Sequence, residues 1–212
     1  DLPLKNSLAF PISKTVLEKI EQIQILACGT SRHAAMVGAY LLEQFSGVST
    51  KVYFASEFRY APPPLYPNTL TIGVSQSGET ADTLAALRME KERRDSTKDA
   101  NFSFHQLGIT NRVDSSLGRE LDNVIDIASG IEIGVAATKT FLGQMLSFYG
   151  LTLLFASHRQ KRTPQEIQNL TNEMNTFLSN PDFNPQDVFQ KHRDFIFTKI
   201  DRSFFNTGIY RR

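Results

Sequence analysis

The sequence has little cysteine, no tryptophan and almost no net charge, and these absences exclude several classes of protein. A single cysteine among 212 residues excludes a disulfide framework and a multi-cysteine metal site. Lysine and arginine together number 23 against 22 aspartates and glutamates, which disfavours nucleic-acid binding through bulk charge. His105, His158 and His192 show no metal-ligand spacing. We therefore predict no metal and no nucleic-acid partner.

Long apolar runs are also missing. The most apolar stretch, Phe141–Ala156, contains Gln144, Ser147 and Thr152 and falls short of the 18 or more apolar residues of a membrane span. The N-terminal residues DLPLKNSLAF lack the apolar core of a secretion signal. We predict a soluble, cytoplasmic protein with no membrane partner, in which residues 141–156 form a buried helix.

Strand-like and helix-like segments alternate along the chain. The helix-like segments carry apolar residues at helical spacing, and the strand-like segments are short apolar runs. The predicted strands are Ile23–Cys28, Lys51–Ala55, Thr69–Val74, Phe104–Thr110 and Asn123–Ile127. The predicted helices include Ser31–Phe45, Glu79–Arg93 and Thr138–Ser157. This alternation predicts an open, doubly wound parallel sheet with helices on both faces, and ligands of such folds bind at the carboxyl ends of the strands.

Two short loops of hydroxyl residues and glycine follow predicted strands and lead into helices. They are Cys28-Gly29-Thr30-Ser31 and Ser75-Gln76-Ser77-Gly78-Glu79-Thr80. The first N–H groups of a helix favour an anion, and serine and threonine add donors with little bulk. Each loop alone is equally well explained by ordinary helix capping and turn formation. Two such loops after neighbouring strands favour an anion site. Neither loop is a Walker A or a GxGxxG motif, so we predict no nucleotide cofactor.

Other segments are ambiguous from spacing alone. Gly130–Lys139 is rich in small residues, and its spacing favours a tight turn over ligand contact. A structural role is favoured for His33 and for Cys28, which we expect to act as a small hydrophobic residue. The run Lys91–Arg94 is interpreted as an exposed helix end.

Four segments carry a more specific resemblance. In chain order they are IQILACGTS, ASEFRY, GVSQSGETADTLAALR and EIGVAATKTF. Together they resemble the isomerase part of the glutamine–fructose-6-phosphate aminotransferase family, in its first sugar-isomerase (SIS) domain, from about Ile20 to Phe155. The resemblance implies an α/β fold: a three-layer αβα sandwich around a five-stranded, flavodoxin-like parallel sheet, with N- and C-terminal helical extensions. The implied division is a helical lead-in over residues 1–19, the SIS domain over 20–158, and a helical linker with the start of a second SIS domain over 159–212.

The resemblance also implies a binding site for a hexose 6-phosphate, such as fructose, glucose or glucosamine 6-phosphate. The SQSGET loop of the family holds the phosphate, and the CGTS loop contributes to phosphate and sugar binding. A third family segment contacts the sugar, and here Ala137 stands where the family has serine, so one hydroxyl contact is lost. The implied substrate-binding residues are Cys28, Gly29, Thr30, Ser31, Ser75, Gln76, Ser77, Thr80, Val135, Ala136 and Ala137.

The family's catalytic residues have no counterpart in this sequence. They belong to a glutaminase domain, a second SIS domain and a C-terminal tail. We therefore expect a phosphosugar-binding SIS domain, a fragment or half of the isomerase unit that converts fructose 6-phosphate to glucosamine 6-phosphate with ammonia from glutamine. We expect no catalytic residue and no turnover in this chain alone. The alternatives are a non-catalytic single SIS domain that senses a hexose phosphate and a remnant that has lost affinity. SIS domains usually pair, so a homodimer is expected.

Overall fold

A computed structural model describes residues 12–133 and 137–159, together with residues 165–166, 168–169 and 172, which are helical. The chain divides into two units, Asp1–Thr163 and Pro164–Arg212, and the following helices and strands belong to the first. The helices are α1 (Lys14–Lys19), α2 (Gly29–Leu41), α3 (Ala55–Phe58), α4 (Ala81–Asp95), α5 (Ser116–Glu120) and α6 (Lys139–His158). A π-helical turn, Leu42–Ser46, extends α2, and a 3-10 turn covers Ala100–Phe102. The strands are β1 (Gln22–Ala27), β2 (Ser49–Phe54), β3 (Thr69–Ser75), β4 (His105–Thr110) and β5 (Val124–Asp126).

The five strands form one parallel sheet in the order β2-β1-β3-β4-β5. This is the flavodoxin-like order, and the predicted five-stranded α/β fold is confirmed. The strand order reverses between β1 and β3, because the connection from β1 leads to one edge of the sheet and the connection from β3 to the other. The crevice at such a switch point is the usual ligand site of an open α/β sheet.

Helices cover both faces of the sheet and create two cores. Alternate strand residues such as Ile23, Ile25 and Ile72 pack with residues of α1, α2 and α6 in the first core. Leu26 points to the opposite face, where the second core contains residues of α3, α4 and α5. Strand side chains alternate between faces, so β1 contributes to both cores. The result is the predicted three-layer αβα sandwich.

Helix α6 is the core helix of the first layer. Among the described residues it is the one helix long and apolar enough to cross a membrane by length and composition. Phe148, Leu151 and Phe155 are nevertheless fully buried within the first core. Gly38 of α2 lies so close to the Phe148 ring that any Cβ at position 38 would overlap it. One face of α6 is therefore buried against α2 and the sheet, as expected for the predicted core helix.

A buried polar cluster lies on the opposite face, under α4. Glu90 is 1% exposed and Arg94 is 3% exposed, and the Arg94 Nε–Glu90 Oε1 distance is 2.8 Å. Gln24 of β1 donates to Glu90 Oε1 at 2.7 Å and to Thr71 Oγ1 at 2.9 Å. The interpretation of Lys91–Arg94 as an exposed helix end is therefore wrong for Arg94, because helical periodicity returns residue 94 to the buried face that carries Glu90.

Candidate functional site

The loop after β3 is folded around the side chain of Ser75. Ser75 is 2% exposed, and its Oγ accepts a hydrogen bond from the Gly78 backbone N–H at 3.0 Å. The same oxygen lies 2.8 Å from Thr80 Oγ1. Gly78 adopts a φ of +67°, which favours glycine, and this turn places the chain back over Ser75. Ser77 is exposed, and its Oγ accepts from the Glu79 N–H at 3.2 Å.

Helix α4 begins directly after this loop, at the carboxyl edge of the sheet. Thr80 is the N-cap residue of α4, yet its side chain makes no capping hydrogen bond. Its hydroxyl instead lies against Ser75. The first N–H groups of a helix have no partner within the helix, and the helix dipole places partial positive charge there. The loop therefore combines hydroxyl donors with the N-terminus of a 15-residue helix, which is an arrangement suited to an anion.

The loop after β1 also contains glycine and hydroxyl residues and leads into a helix, but it is shorter. Cys28 is the N-cap of α2 and makes no side-chain capping bond. Its half-buried side chain packs against the second core, as the sequence-based interpretation of a small hydrophobic residue expects. Gly29 adopts a φ of +53° and has open space where a side chain would lie. Thr30 and Ser31 follow in the first turn of α2, both half-buried.

The sheet brings these two loops together. Ala27 is the partner of Val74 in the register of β1 with β3, so the loops leave adjacent strands at the same level. They lie at the switch point between β1 and β3, and helices α2 and α4 diverge from it to opposite faces. Eight of the predicted site residues thus lie in two neighbouring loops at one edge: Cys28, Gly29, Thr30, Ser31, Ser75, Gln76, Ser77 and Thr80.

The third predicted segment is only partly described. Val135 and Ala136 lie outside the described residues, whereas Ala137 is half-buried just before α6. The flanking chain is anchored on both sides. The Glu132 carboxylate accepts hydrogen bonds from the Thr140 N–H at 3.1 Å and the Thr140 hydroxyl at 2.8 Å. These bonds hold the pKa of Glu132 below its usual value.

Asn111 links this segment to the loop after β3. Its backbone N–H donates to the Gln76 carbonyl at 3.1 Å. Its side chain accepts from the Ser129 N–H at 2.8 Å and donates to the Gly130 carbonyl at 2.6 Å. Sequence reasoning missed Asn111, although its position directly after β4, at the carboxyl edge of the sheet, was a usable signal.

Two titratable residues near the loops have structural contacts. Glu79 Oε1 accepts from the Ser116 N–H of α5 at 2.8 Å, and this hydrogen bonding lowers the pKa of Glu79. Burial, and then the charge of Arg32, lower the pKa of His33. Within residues 12–133 and 137–159, no cluster of three or more His, Cys, Asp or Glu residues could hold a metal.

Comparison with known proteins agrees with this fold. The sequence profile of the SIS domain family matches residues 16–154. The glutamine–fructose-6-phosphate aminotransferase (isomerizing) of a Nostoc species is 58% identical over 154 residues, or 72% of this chain and 24% of that protein. The corresponding enzyme of Thermosynechococcus vestitus is 60% identical over 69% of this chain and 23% of its own length. This chain thus spans about a quarter of the length of these curated relatives.

A solved structure is also similar to this chain. It is the C-terminal domain of glucosamine-fructose-6-phosphate aminotransferase from Francisella tularensis, which superposes with a TM-score of 0.70 at 37% identity. The match covers 77% of this chain and 44% of that one. With the family profile matching well over half of its length, and with the five-stranded parallel sheet in place, the chain belongs to the SIS domain family.

Proposed function

We propose that this domain binds a hexose 6-phosphate, with the phosphate between the loops 28–31 and 75–80. The observation that carries the proposal is the meeting of two hydroxyl-rich loops and two helix N-termini at the switch point of the sheet. Ser75, Ser77 and Thr80 offer hydroxyl groups, and α2 and α4 offer backbone N–H groups whose N-cap side chains leave them uncapped. These are neutral donors on two loops that follow adjacent strands, and they suit a dianionic phosphate ester.

The names of the relatives indicate which sugar phosphate to test first. Both named relatives are glutamine–fructose-6-phosphate aminotransferases, so fructose 6-phosphate is the first ligand to test, with glucose 6-phosphate and glucosamine 6-phosphate next. On this proposal the domain acts in the cytoplasm as the phosphosugar-holding part of an isomerase unit. The sugar itself would contact the third segment, including Val135, Ala136 and Ala137.

An amide-detected NMR titration with fructose 6-phosphate tests this proposal. We expect saturable shifts at residues 76–80, and none with unphosphorylated fructose. Ser75→Ala and Thr80→Val should each weaken binding about tenfold or more, because a hydrogen bond to a charged group contributes about 1.5–3 kcal/mol. Thr80→Val keeps the side-chain shape, so it separates a lost hydroxyl from a collapsed loop.

The matched control is Ser96→Ala. Ser96 follows the other end of α4, and its hydroxyl donates to the Arg93 carbonyl at 2.7 Å. It should bind fructose 6-phosphate as the unchanged protein does. A folded domain that responds equally to fructose and to its phosphate, or not at all, would contradict the proposal.

We also propose that the chain forms a homodimer. Exposed apolar side chains support this: Met36 and Tyr40 on α2 are 48% and 64% exposed, and Leu142 and Leu146 on α6 are 59% and 51% exposed. Apolar surface of this kind favours association. Light scattering should give twice the 23.9 kDa mass of one chain, and the double variant Leu142→Glu, Leu146→Glu should shift it to the monomer. A monomer at all concentrations would refute the dimer.

A further inference from the structure

A glutamine side chain of α6 reaches into the loop after β1. Gln144 is 1% exposed, and its Nε2 donates to Ser31 Oγ at 2.9 Å. Between Lys139 and His158 the sequence of α6 has no charged residue, and a carboxamide buried on such a helix needs a hydrogen-bond partner. The partner is one of the eight residues assigned above to the two loops.

The direction of this bond decides what Ser31 can do. A serine hydroxyl has one hydrogen to donate and two lone pairs that accept. Gln144 occupies a lone pair, so the hydrogen of Ser31 stays available to a ligand. A donated bond of this kind also polarises the hydroxyl and makes it a better donor. The Ser75 oxygen likewise accepts from the Gly78 N–H at 3.0 Å, and it also lies 2.8 Å from the Thr80 hydroxyl.

The surrounding packing fixes the distance between the two residues. Ser31 lies in the first turn of α2, and Gln144 lies on the second turn of α6. One turn further along α6, the Phe148 ring fills the space that the missing side chain of Gly38 leaves on α2. The two helices therefore approach closely, and this packing holds Gln144 within hydrogen-bond distance of Ser31.

We propose that Gln144 is a positioning residue of the phosphosugar site, which acts through Ser31 by fixing its hydroxyl as a donor to the bound phosphosugar. This inference rests on the proposed function. It assigns a role in binding to a residue of the core helix, in addition to the loop residues. A purely structural role, in which Gln144 only ties α6 to α2, makes a different prediction for a double variant.

A double-mutant cycle separates the two roles. The variants are Gln144→Met, Ser31→Ala and the pair together, each titrated with fructose 6-phosphate by amide-detected NMR. We expect Ser31→Ala and Gln144→Met each to weaken binding about five- to tenfold. The double variant should bind like Ser31→Ala alone, because residues that act through one another are non-additive. Thr152→Val is the matched control, since Thr152 is buried on α6 and donates locally to the Phe148 carbonyl at 2.8 Å. It should leave affinity unchanged.

Gln144→Glu provides a second variant of the same size, should methionine unfold the helix. At pH 8 a carboxylate can only accept, so it would turn the Ser31 hydrogen away from the ligand and weaken binding at least as much. Two outcomes overturn the inference while fructose 6-phosphate still binds the unchanged protein. They are a folded Gln144 variant of full affinity, and a Gln144→Met effect that is equally large with and without Ser31. If the unchanged protein does not bind fructose 6-phosphate, the proposed function is refuted, and the inference that rests on it is refuted as well.

Discussion

Glu90→Ala is expected to lower the free energy of unfolding by about 3–5 kcal/mol, which is the usual cost of removing one partner of a buried ion pair. The substitution leaves the Arg94 guanidinium, 3% exposed, without its carboxylate. It also removes the acceptor of Gln24 Nε2 at 2.7 Å. Two buried polar groups thus lose partners at once. Urea denaturation followed by circular dichroism measures the change.

The same loss should loosen the proline-rich loop before β3. Arg93 and Arg94 donate to the carbonyls of Pro63 and Tyr66 at 2.7 Å and 3.1 Å, and both arginines also bond Glu90. Glu92→Ala is the control, because Glu92 is exposed on the same helix, and surface substitutions usually stay within about 0.5 kcal/mol. A Glu90→Ala variant within 1 kcal/mol of the unchanged protein would mean that water compensates the buried Arg94 for its lost carboxylate.

The sheet could be predicted from the sequence because its strands are short apolar runs between helical patterns. Strands predicted at Ile23–Cys28 and Thr69–Val74 are found at Gln22–Ala27 and Thr69–Ser75. The short helices α3 and α5 were missed, since four or five residues are too few to give a period. Periodicity carries no information on which strands are neighbours, so only the family resemblance indicated a flavodoxin-like sheet.

The two loops could also be predicted from the sequence, because hydroxyl residues and glycine directly after strands are a local signal. The buried side-chain pairs could not be predicted. Gln144 and Ser31 are 113 residues apart, and Gln24 and Glu90 are 66 apart. Only the packing of α6 on α2, or of α4 on β1, makes them neighbours. In sequence, Gln144 is a polar interruption of an apolar helix and Glu90 is one charge in a charged run, so neither indicates its buried role.

Gly78→Ala combines the second large effect on stability with a loss of ligand binding. Gly78 has a φ of +67°, and an alanine in this left-handed conformation costs about 1–2 kcal/mol. A Cβ at position 78 would also overlap the hydroxyl and Cβ of Ser115, and overpacking of this kind costs about 1–3 kcal/mol more. The turn that sets the Gly78 N–H on Ser75 Oγ would have to open. We therefore expect a loss of unfolding free energy of about 2–5 kcal/mol in urea, and at least tenfold weaker binding of fructose 6-phosphate by NMR titration.

Two further variants separate strain from overlap. Gly130→Ala has the same kind of backbone, with a φ of +69°, but open space around it, so it should lose only the conformational part, about 1–2 kcal/mol. Adding Ser115→Gly to Gly78→Ala removes the overlapping side chain. Ser115 is the N-cap of α5, and replacing an N-cap serine by glycine costs only a few tenths of a kcal/mol. The double variant should therefore regain part of the lost stability. Ligand affinity should return only as far as the Gly78–Ser75 hydrogen bond reforms, because that bond, rather than the volume at position 78, holds the Ser75 hydroxyl in the loop. If Gly78→Ala kept both its stability and its affinity, the turn would not be what organises the proposed phosphate site.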